Sequence, residues 1–491
     1  VIAYHSADAI RAAERATGTL FSDGVLMKRA AYAVAATVIA ELGRGHAGVY
    51  GRRVGLVVGA GDNGGDALYA ARHLRRRGVA VDAVLTAPER VHAAALADFR
   101  DSGGRIVGEL SIGTTDIVVD AVVGLGGHGP LRDPVASVFA AVHAAGIPVV
   151  AVDLPSGVDP DTGTVHDPAV RADVSVTFDL PRLAHLLAAP QCGRVVIAEI
   201  GVPDNTPPEL ASPSDAEIAA CWPVPGPGDD KYTQGVVGVI AGSARYPGAA
   251  VLCTDAAVAA SSGMTRYVGA AVREVLARNP ETVAVTDLAD AGRVQAWVIG
   301  PGGGTGEASA QILERVLADD VPVLVDADAL TVLAGNAHLR ELVRARSAPT
   351  LLTPHAGEFA RLAAAAGSGA ADLLTDGHRL AAVRRLASET GATVLLKGRI
   401  TLVADPDGTV WGNDARASWA ATAGSGDVLA GIAGALLAAG LAPRVAGTAA
   451  ARVHGLAARR ASGGAPIGAS QLAAAVRPAL QDLLHLRQWK R

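Results

Sequence analysis

Gly424-Ser-Gly-Asp427 runs directly into the apolar stretch 428–437, and no other segment of the chain carries as much chemistry in so few residues. The first N–H groups of a helix have no intrahelical partner. When glycines let a ligand approach them, they form an anion hole suited to a transferring phosphoryl group. A carboxylate in that first turn, Asp427, is placed to accept the proton of an attacking hydroxyl. Gly300-Pro-Gly-Gly-Gly304 opens a second helix pattern and can cradle phosphates in the same way. A capped helix without a ligand would use similar residues, so the weight lies in the combination.

A different set of groups lies in the first half. Gly59-Ala-Gly-Asp-Asn-Gly-Gly-Asp66 joins an apolar run to a helix pattern, Asp120 ends Asp-Ile-Val-Val-Asp, and Asp153 ends Pro-Val-Val-Ala-Val-Asp before Leu-Pro-Ser-Gly. In a parallel sheet the C-terminal strand ends share one edge, so Asn63, Asp120 and 153–156 are expected at one cleft. The loop Gly124-Leu-Gly-Gly-His-Gly-Pro130 follows Asp120 closely enough to wrap over a ligand there. An amide oxygen, a carboxylate and a hydroxyl suit an alkali cation or Mg²⁺, and Asp153, on a tight turn, suits a proton carrier. His128 reads as a contact or a bystander rather than a base.

These groups need strands to hold them. Short β-branched runs at 53–58, 79–85, 116–120, 148–153 and 173–177 alternate with helix patterns at 66–77, 89–102 and 134–145, and two more helices, 6–17 and 22–42, come first. Such alternation calls for a parallel sheet covered by helices on both faces. A second α/β pattern starts at 235–241. It continues through strand candidates at 296–300, 322–326, 350–353 and 393–397, and ends with helices at 445–461 and 468–484. Between the halves, seven prolines from Pro203 to Pro227 mark a linker over 206–228 with room for one short helix at 214–221. The expected domains are therefore 1–205 and 229–491.

Composition narrows the function classes. A net charge of −5 and 3% aromatics give neither the basic field nor the stacking platform of a nucleic-acid binder. The longest apolar run, 428–443, is interrupted by glycines and falls short of the ~20 residues a membrane span needs. Three cysteines without a C-x-x-C pair suggest neither a zinc site nor a disulfide framework, and the N-terminus lacks a secretory pattern. A cytoplasmic location is expected.

Asn63-Gly-Gly-Asp66, Asp120 with 124–130, and Val152-Asp-Leu-Pro-Ser-Gly157 together resemble the NAD(P)H-hydrate epimerase family over about residues 1–205. The resemblance implies that Asn63, Asp120 and Ser156 hold a potassium ion. It implies substrate contacts from Asp62, Asn63, Gly64, Gly65 and Asp66 and from Gly124, Leu125, Gly126, Gly127, His128, Gly129 and Pro130. Asp153 would sit against the nicotinamide ring as the catalytic acid–base. Asp62 and Ala67 depart from the usual Asn-Asn-Gly-Gly-Asp-Gly.

Residues 229–491 are similar to ADP-dependent NAD(P)H-hydrate dehydratases and look ribokinase-like at the glycine-rich helix start. What that implies is ADP or AMP on Lys397, Gly398, Arg399, Ile400, Thr401 and Gly426, and substrate on Ala250, Gly302, His355 and Asp427. Asp326, in Val325-Asp-Ala-Asp-Ala-Leu330, is structural or near Mg²⁺, and Ala356 stands where the family usually has proline. The expected architecture is a Rossmann-like parallel-sheet domain followed by a ribokinase-like α/β domain. The implied activity is interconversion of the R and S hydrates of NADH and NADPH at C6, with K⁺. ADP-dependent dehydration of the S hydrate follows, with Mg²⁺, releasing AMP and phosphate. The expected partners are these small molecules, in a homo-oligomer. The rival reading is a vitamin-precursor kinase of the same fold carrying a non-catalytic N-terminal binding module.

Overall fold

The computed structural model describes residues 1–44, 48–124, 126–127, 129–261, 263–375 and 377–488. The chain divides into two compact units, Ala3–Leu210 and Ala211–Arg491, with Val1 and Ile2 grouped with the second.

In the first unit, seven strands form one sheet. Its order is Arg105–Ile106, Ala80–Leu85, Arg53–Val58, Ile117–Ala121, Val149–Val152, Val174–Phe178, Arg194–Ala198, and every pairing is parallel. Alternate residues explain why both faces are covered. Val54, Leu56 and Val58 pack with the helices Val25–Gly43 and Asp62–Arg75 on one face. Val57, Val118 and Val149 pack with Val135, Phe139 and Val142 of the helix Val135–Ala144 on the other.

The helix expected from residue 66 starts at Asp62, because Gly61, with φ +97°, turns the chain straight off the strand. The segment 62–66 is therefore the first turn of a helix rather than a loop. The helix expected at 89–102 is split into a short turn, Pro88–Arg90, and a helix Ala93–Asp101 capped by His92, whose Nδ1 accepts the Ala95 N–H at 3.1 Å.

The second unit is built on a larger sheet. The strands Val283–Val285, Met264–Val268, Val236–Ile240, Ala296–Ile299, Val323–Val325, Thr350–Leu352 and Thr393–Leu396 pair in parallel in that order. Ile400–Ala404 and Val410–Asp414 then continue it antiparallel. The helix Ser425–Ala438 is buried without interruption from Val428 to Ala438 and packs on Pro247–Ala260. That all-round apolar character is what a core helix requires. Among the described residues no helix is long and apolar enough to cross a membrane.

The segment 206–228 differs from the linker its prolines suggested. Leu210–Ser212 is a strand, and Ala211 pairs with Trp411. A capping box of Ser214 and Glu217 starts the helix Asp215–Cys221. Ile218, Ala219 and Trp222 are buried in the second core, where the Trp222 indole N–H donates to the Ala260 carbonyl at 3.3 Å. Prolines flank these elements without entering them, so burial of one tryptophan and its neighbours could recruit the segment.

Candidate functional site

The order of the first sheet reverses between Arg53–Val58 and Ile117–Ala121, and such a switch point opens a crevice beyond the strand ends. The loops leaving these two strands touch at Gly59. A Cβ there would stand 1.9 Å from the Val122 carbonyl oxygen, so only glycine permits the approach. Asn63, one turn further, donates its amide N–H to the Val152 carbonyl at 2.8 Å and so fastens to the next strand. Asp120, 1% exposed, accepts from the Ser156 hydroxyl and backbone N–H, both at 2.7 Å, and from the Val122 N–H at 3.2 Å. Burial pushes its carboxyl up to about 6. The structure thus brings Asn63, Asp120, Asp153 and Ser156 to one place.

Asp153 sits at φ +66°, a conformation a non-glycine residue keeps only when its surroundings demand it. They do. Its carboxylate accepts from the Thr177 hydroxyl at 3.1 Å and forms an ion pair with Arg182, whose Nε and Nη2 each lie 3.2 Å away. Both partners are 2% exposed. His185 takes the Arg182 N–H on Nδ1 at 2.9 Å, which leaves its Nε2–H to donate to the Asp153 carbonyl at 2.8 Å. Burial pushes that imidazole down to about 4, so it stays neutral. Sequence reasoning missed Arg182 and His185. A cation and an imidazole three residues apart just beyond the strand at 173–177 were the available signal.

A cleft of about 930 Å³ is lined by Asn63, Asp153 and Arg182, while Asp120, Ser156 and His185 are buried and do not line it. Glu14, Asp62, Asp66 and Asp153 line it, and so do Arg11, Arg15, Arg90, Arg132 and Arg182, an array able to receive a dinucleotide's phosphates beside a neutral ring. Burial raises the Glu14 carboxyl. It raises Asp66 further, reinforced by the charges of Asp62, Asp153 and Glu14. Gly124, Gly126, Gly127, Gly129 and Pro130 line the cleft as expected, while Leu125 and His128 lie outside the described residues. Gly64 and Gly65 were expected as substrate contacts. They are instead buried and do not line the cleft, because the early helix start packs Gly64 on Gly59 and Val58 and Gly65 against Met27 and His92.

In the second unit Gly424, at φ +85°, delivers the chain into the helix Ser425–Ala438. Asp427 stands half-buried in its first turn. Burial and then the neighbouring charge of Asp326 push its carboxyl up to about 7, against an opposing pull from Lys397. Lys397 donates to Asp326 Oδ1 at 2.5 Å, and the same oxygen accepts from the Thr353 hydroxyl at 2.8 Å. Glu358 Oε2 is 4.0 Å from the ammonium. A Cβ on Gly426 would lie 3.3 Å from Lys397 Nζ, so the ammonium rests against the glycine-rich helix start.

A hollow of about 230 Å³ beside it is lined by Lys397, Gly398, Arg399, Thr401 and Gly426. Ile400, expected with them, does not line the hollow. It is buried in the strand Ile400–Ala404 and paired with Asp414. His454, which sequence reasoning passed over, also lines the hollow, with Nε2 2.9 Å from the Ser425 carbonyl. Burial holds it down to about 4.

His355 caps the helix Ala356–Ala365. Its Nδ1 accepts from the N–H groups of Gly357 and Glu358 at 3.0 and 3.3 Å, and the ring remains exposed with Nε2 3.4 Å from Glu358 Oε1. Gly302 lies in the turn after Ala296–Ile299 at φ +60°. Ala250, expected against the nicotinamide, is 0% exposed in the second core, where apolar packing of its helix holds it. Among the described residues no three His, Cys, Asp or Glu side chains are grouped to hold a metal.

Residues 23–184 match the family described as YjeF-related protein N-terminus, and residues 237–476 match NAD(P)H-hydrate dehydratase. The chain is 57% identical over 485 residues to the bifunctional NAD(P)H-hydrate repair enzyme Nnr of Mycobacterium tuberculosis, covering 98% of this chain and 99% of that protein. It is 54% identical over 487 residues to the Mycobacterium leprae protein of the same name, at 98% and 99% coverage. The chain belongs to the bifunctional NAD(P)H-hydrate repair enzyme family. A crystal structure of the ADP/ATP-dependent NAD(P)H-hydrate dehydratase from Bacillus subtilis, co-crystallised with ATP and Mg²⁺, aligns at 26% identity and a TM-score of 0.49. It covers 56% of this chain and 98% of that one.

As a member of the repair-enzyme family the chain carries both halves. The first match contains Asn63, Asp120, Asp153, Ser156 and Arg182. The second contains Gly302, His355, Lys397 and Asp427. The full-length match to bifunctional repair enzymes leaves the rival, a vitamin-precursor kinase with a non-catalytic N-terminal binding module, without support.

Proposed function

We propose that the two sites repair hydrated NADH and NADPH in succession. The first interconverts the R and S hydrates at C6, and the second dehydrates the S hydrate with ADP. The observation that carries the second step is the raised carboxyl of Asp427 in the first turn of a glycine-started helix, with Lys397 against the same turn. A base whose pKa lies near neutrality can take a hydroxyl proton and hand it on.

In this mechanism Asp427 accepts the proton of the C6 hydroxyl while that oxygen attacks the β-phosphorus of ADP. The bond to the bridging oxygen breaks, and AMP departs. N–H groups at Gly424–Asp427 and the Lys397 ammonium offset the charge on the transferring group. The ring nitrogen's lone pair then expels phosphate from C6, and loss of a C5 proton restores the reduced ring. Lys397, Gly398, Arg399, Thr401 and Gly426 would hold the nucleotide, and Gly302 and His355 Nε2 the substrate. Mg²⁺, when bound, would neutralise the diphosphate. Asp326 Oδ1 is committed to Lys397 and Thr353, while its buried Oδ2 has no hydrogen-bond partner among the described residues and is an oxygen donor of the kind that would suit Mg²⁺.

In the first unit Asp153 would act on the ring as acid–base, oriented by Arg182 and His185. The donor chemistry of Asn63, Asp120 and Ser156 fits K⁺. The Asp120 carboxylate is buried, with only Ser156 and the Val122 N–H as hydrogen-bond partners among the described residues. K⁺ would supply the missing positive charge there. Three cysteines outside any disulfide, two of them buried, fit the reducing cytoplasm.

The test is to incubate the full chain with mixed NADH-hydrate epimers and either ADP or ATP while following absorbance of the reduced ring. Conversion of both epimers with ADP supports the proposal. Conversion of one epimer alone removes the first activity, and no conversion with either nucleotide removes the second.

A further inference from the structure

The second sheet also reverses its order, between Val236–Ile240 and Ala296–Ile299. Beyond those strand ends lies a pocket of about 480 Å³ that neither Asp427 nor the hollow beside Lys397 occupies. Its wall is largely apolar, with Ile240, Val268, Ile299, Leu288 and Ile312 among the lining side chains. A flat heteroaromatic base suits such a wall. Arg315, exposed on the helix Glu307–Ala318, is the only cationic side chain among the described residues that line it. Asp287 is the only acidic one, and one of its oxygens already accepts the Ala289 N–H at 2.9 Å.

The pocket is joined to the reacting end. The turn 300–304 lines it, and the Gly304 N–H donates to Asp328 Oδ2 at 2.9 Å. Asp328 lies in the helix Ala327–Gly335, whose N-cap residue, Asp326, holds Lys397 against the turn that carries Asp427. A dinucleotide has two nucleosides joined by a pyrophosphate. With its reduced ring at Asp427 and its phosphates along 300–304, it would direct its other nucleoside toward this pocket.

We infer that this pocket receives the adenosine half of the hydrated dinucleotide and that Arg315 at its rim recognises the 2′-phosphate of the NADPH form. The inference rests on the dehydratase reading of the Asp427 site. An arginine near the adenosine ribose is the general means by which a 2′-phosphate is accommodated at a switch point.

The experiment uses the full chain with ADP and three substrates: the hydrates of NADPH, of NADH, and of reduced nicotinamide mononucleotide, which lacks adenosine. Arg315→Ala should raise KM for the NADPH hydrate about tenfold, the worth of one charge-assisted contact. It should leave kcat and the other two substrates unchanged. Ile312→Trp, which fills the pocket, should raise KM for both dinucleotides and spare the mononucleotide, whose turnover also reports that the variant is folded. If Arg315→Ala moves both dinucleotides alike or neither, the recognition of the 2′-phosphate is wrong. If Ile312→Trp folds and leaves both dinucleotides unchanged, the pocket holds no adenosine. If the unaltered chain turns over none of the three hydrates, the failure lies in the dehydratase reading itself.

Discussion

Asp153 and Asp427 are both carboxylates at the ligand-facing edge of a largely parallel sheet, yet their surroundings are opposite. Asp153 is 2% exposed and paired with Arg182, which is buried as deeply. Asp427 is half-buried, faces the like charge of Asp326, and is lifted to about 7. A buried ion pair fixes a carboxylate's position, and losing one partner strands the other. Burial beside a like charge instead poises a carboxyl to exchange its proton near neutral pH. The difference matches the two chemistries proposed: Asp153 acts as acid–base on the ring from a position fixed by Arg182, and Asp427 must take a proton from a hydroxyl near neutral pH.

The comparison is open to direct attack. Asp427→Asn removes the proton acceptor while keeping shape, and dehydration of the S hydrate should fall on the order of 10³-fold. Nucleotide binding and epimer interconversion should stay intact; single-turnover rates with ADP measure the first, and chromatographic resolution of the hydrates the last. Arg182→Met should leave Asp153 buried without its cation and destabilise the first unit by about 3–5 kcal/mol, read from urea unfolding. Epimerisation should be lost with it, and dehydration of pure S hydrate retained.

The third test is pH. Because Asp427 is raised rather than lowered, its active, ionised form is depleted as pH falls through about 7. Below that point kcat/KM for dehydration should drop about tenfold per pH unit, and a flat profile between pH 5 and 7, an interval on the order of two units, would remove Asp427 as the base. The smallest effect is expected from Asp326→Asn. It removes a neighbour that raises Asp427 and frees Lys397, which lowers it, so the acid limb should move toward lower pH.

Much of this arrangement could be read along the chain. The runs at 53–58 and 116–120 became strands because alternating valines and leucines can be buried on both faces. The carboxylates ending two runs met because parallel strands share one C-terminal edge. The pairing of Asp153 with Arg182 could not be read, since it spans a strand and depends on which side of the sheet the turn after Val174–Phe178 folds. The proline-rich stretch misled for a related reason. Proline density describes local backbone stiffness, while the place of Ile218 and Trp222 was decided by an apolar core assembled from residues far along the chain.

The sequence by itself determined where backbone N–H groups could be exposed to an anion, which strand ends would carry acids, and which helix had to be buried, because these follow from glycine, periodicity and hydropathy within a few residues. Only the tertiary structure decided which acid gained a buried cation and which was left beside another acid. Burial and through-space charge act over a few ångströms irrespective of chain separation, and those two quantities set the protonation of Asp427 and the geometry of Asp153.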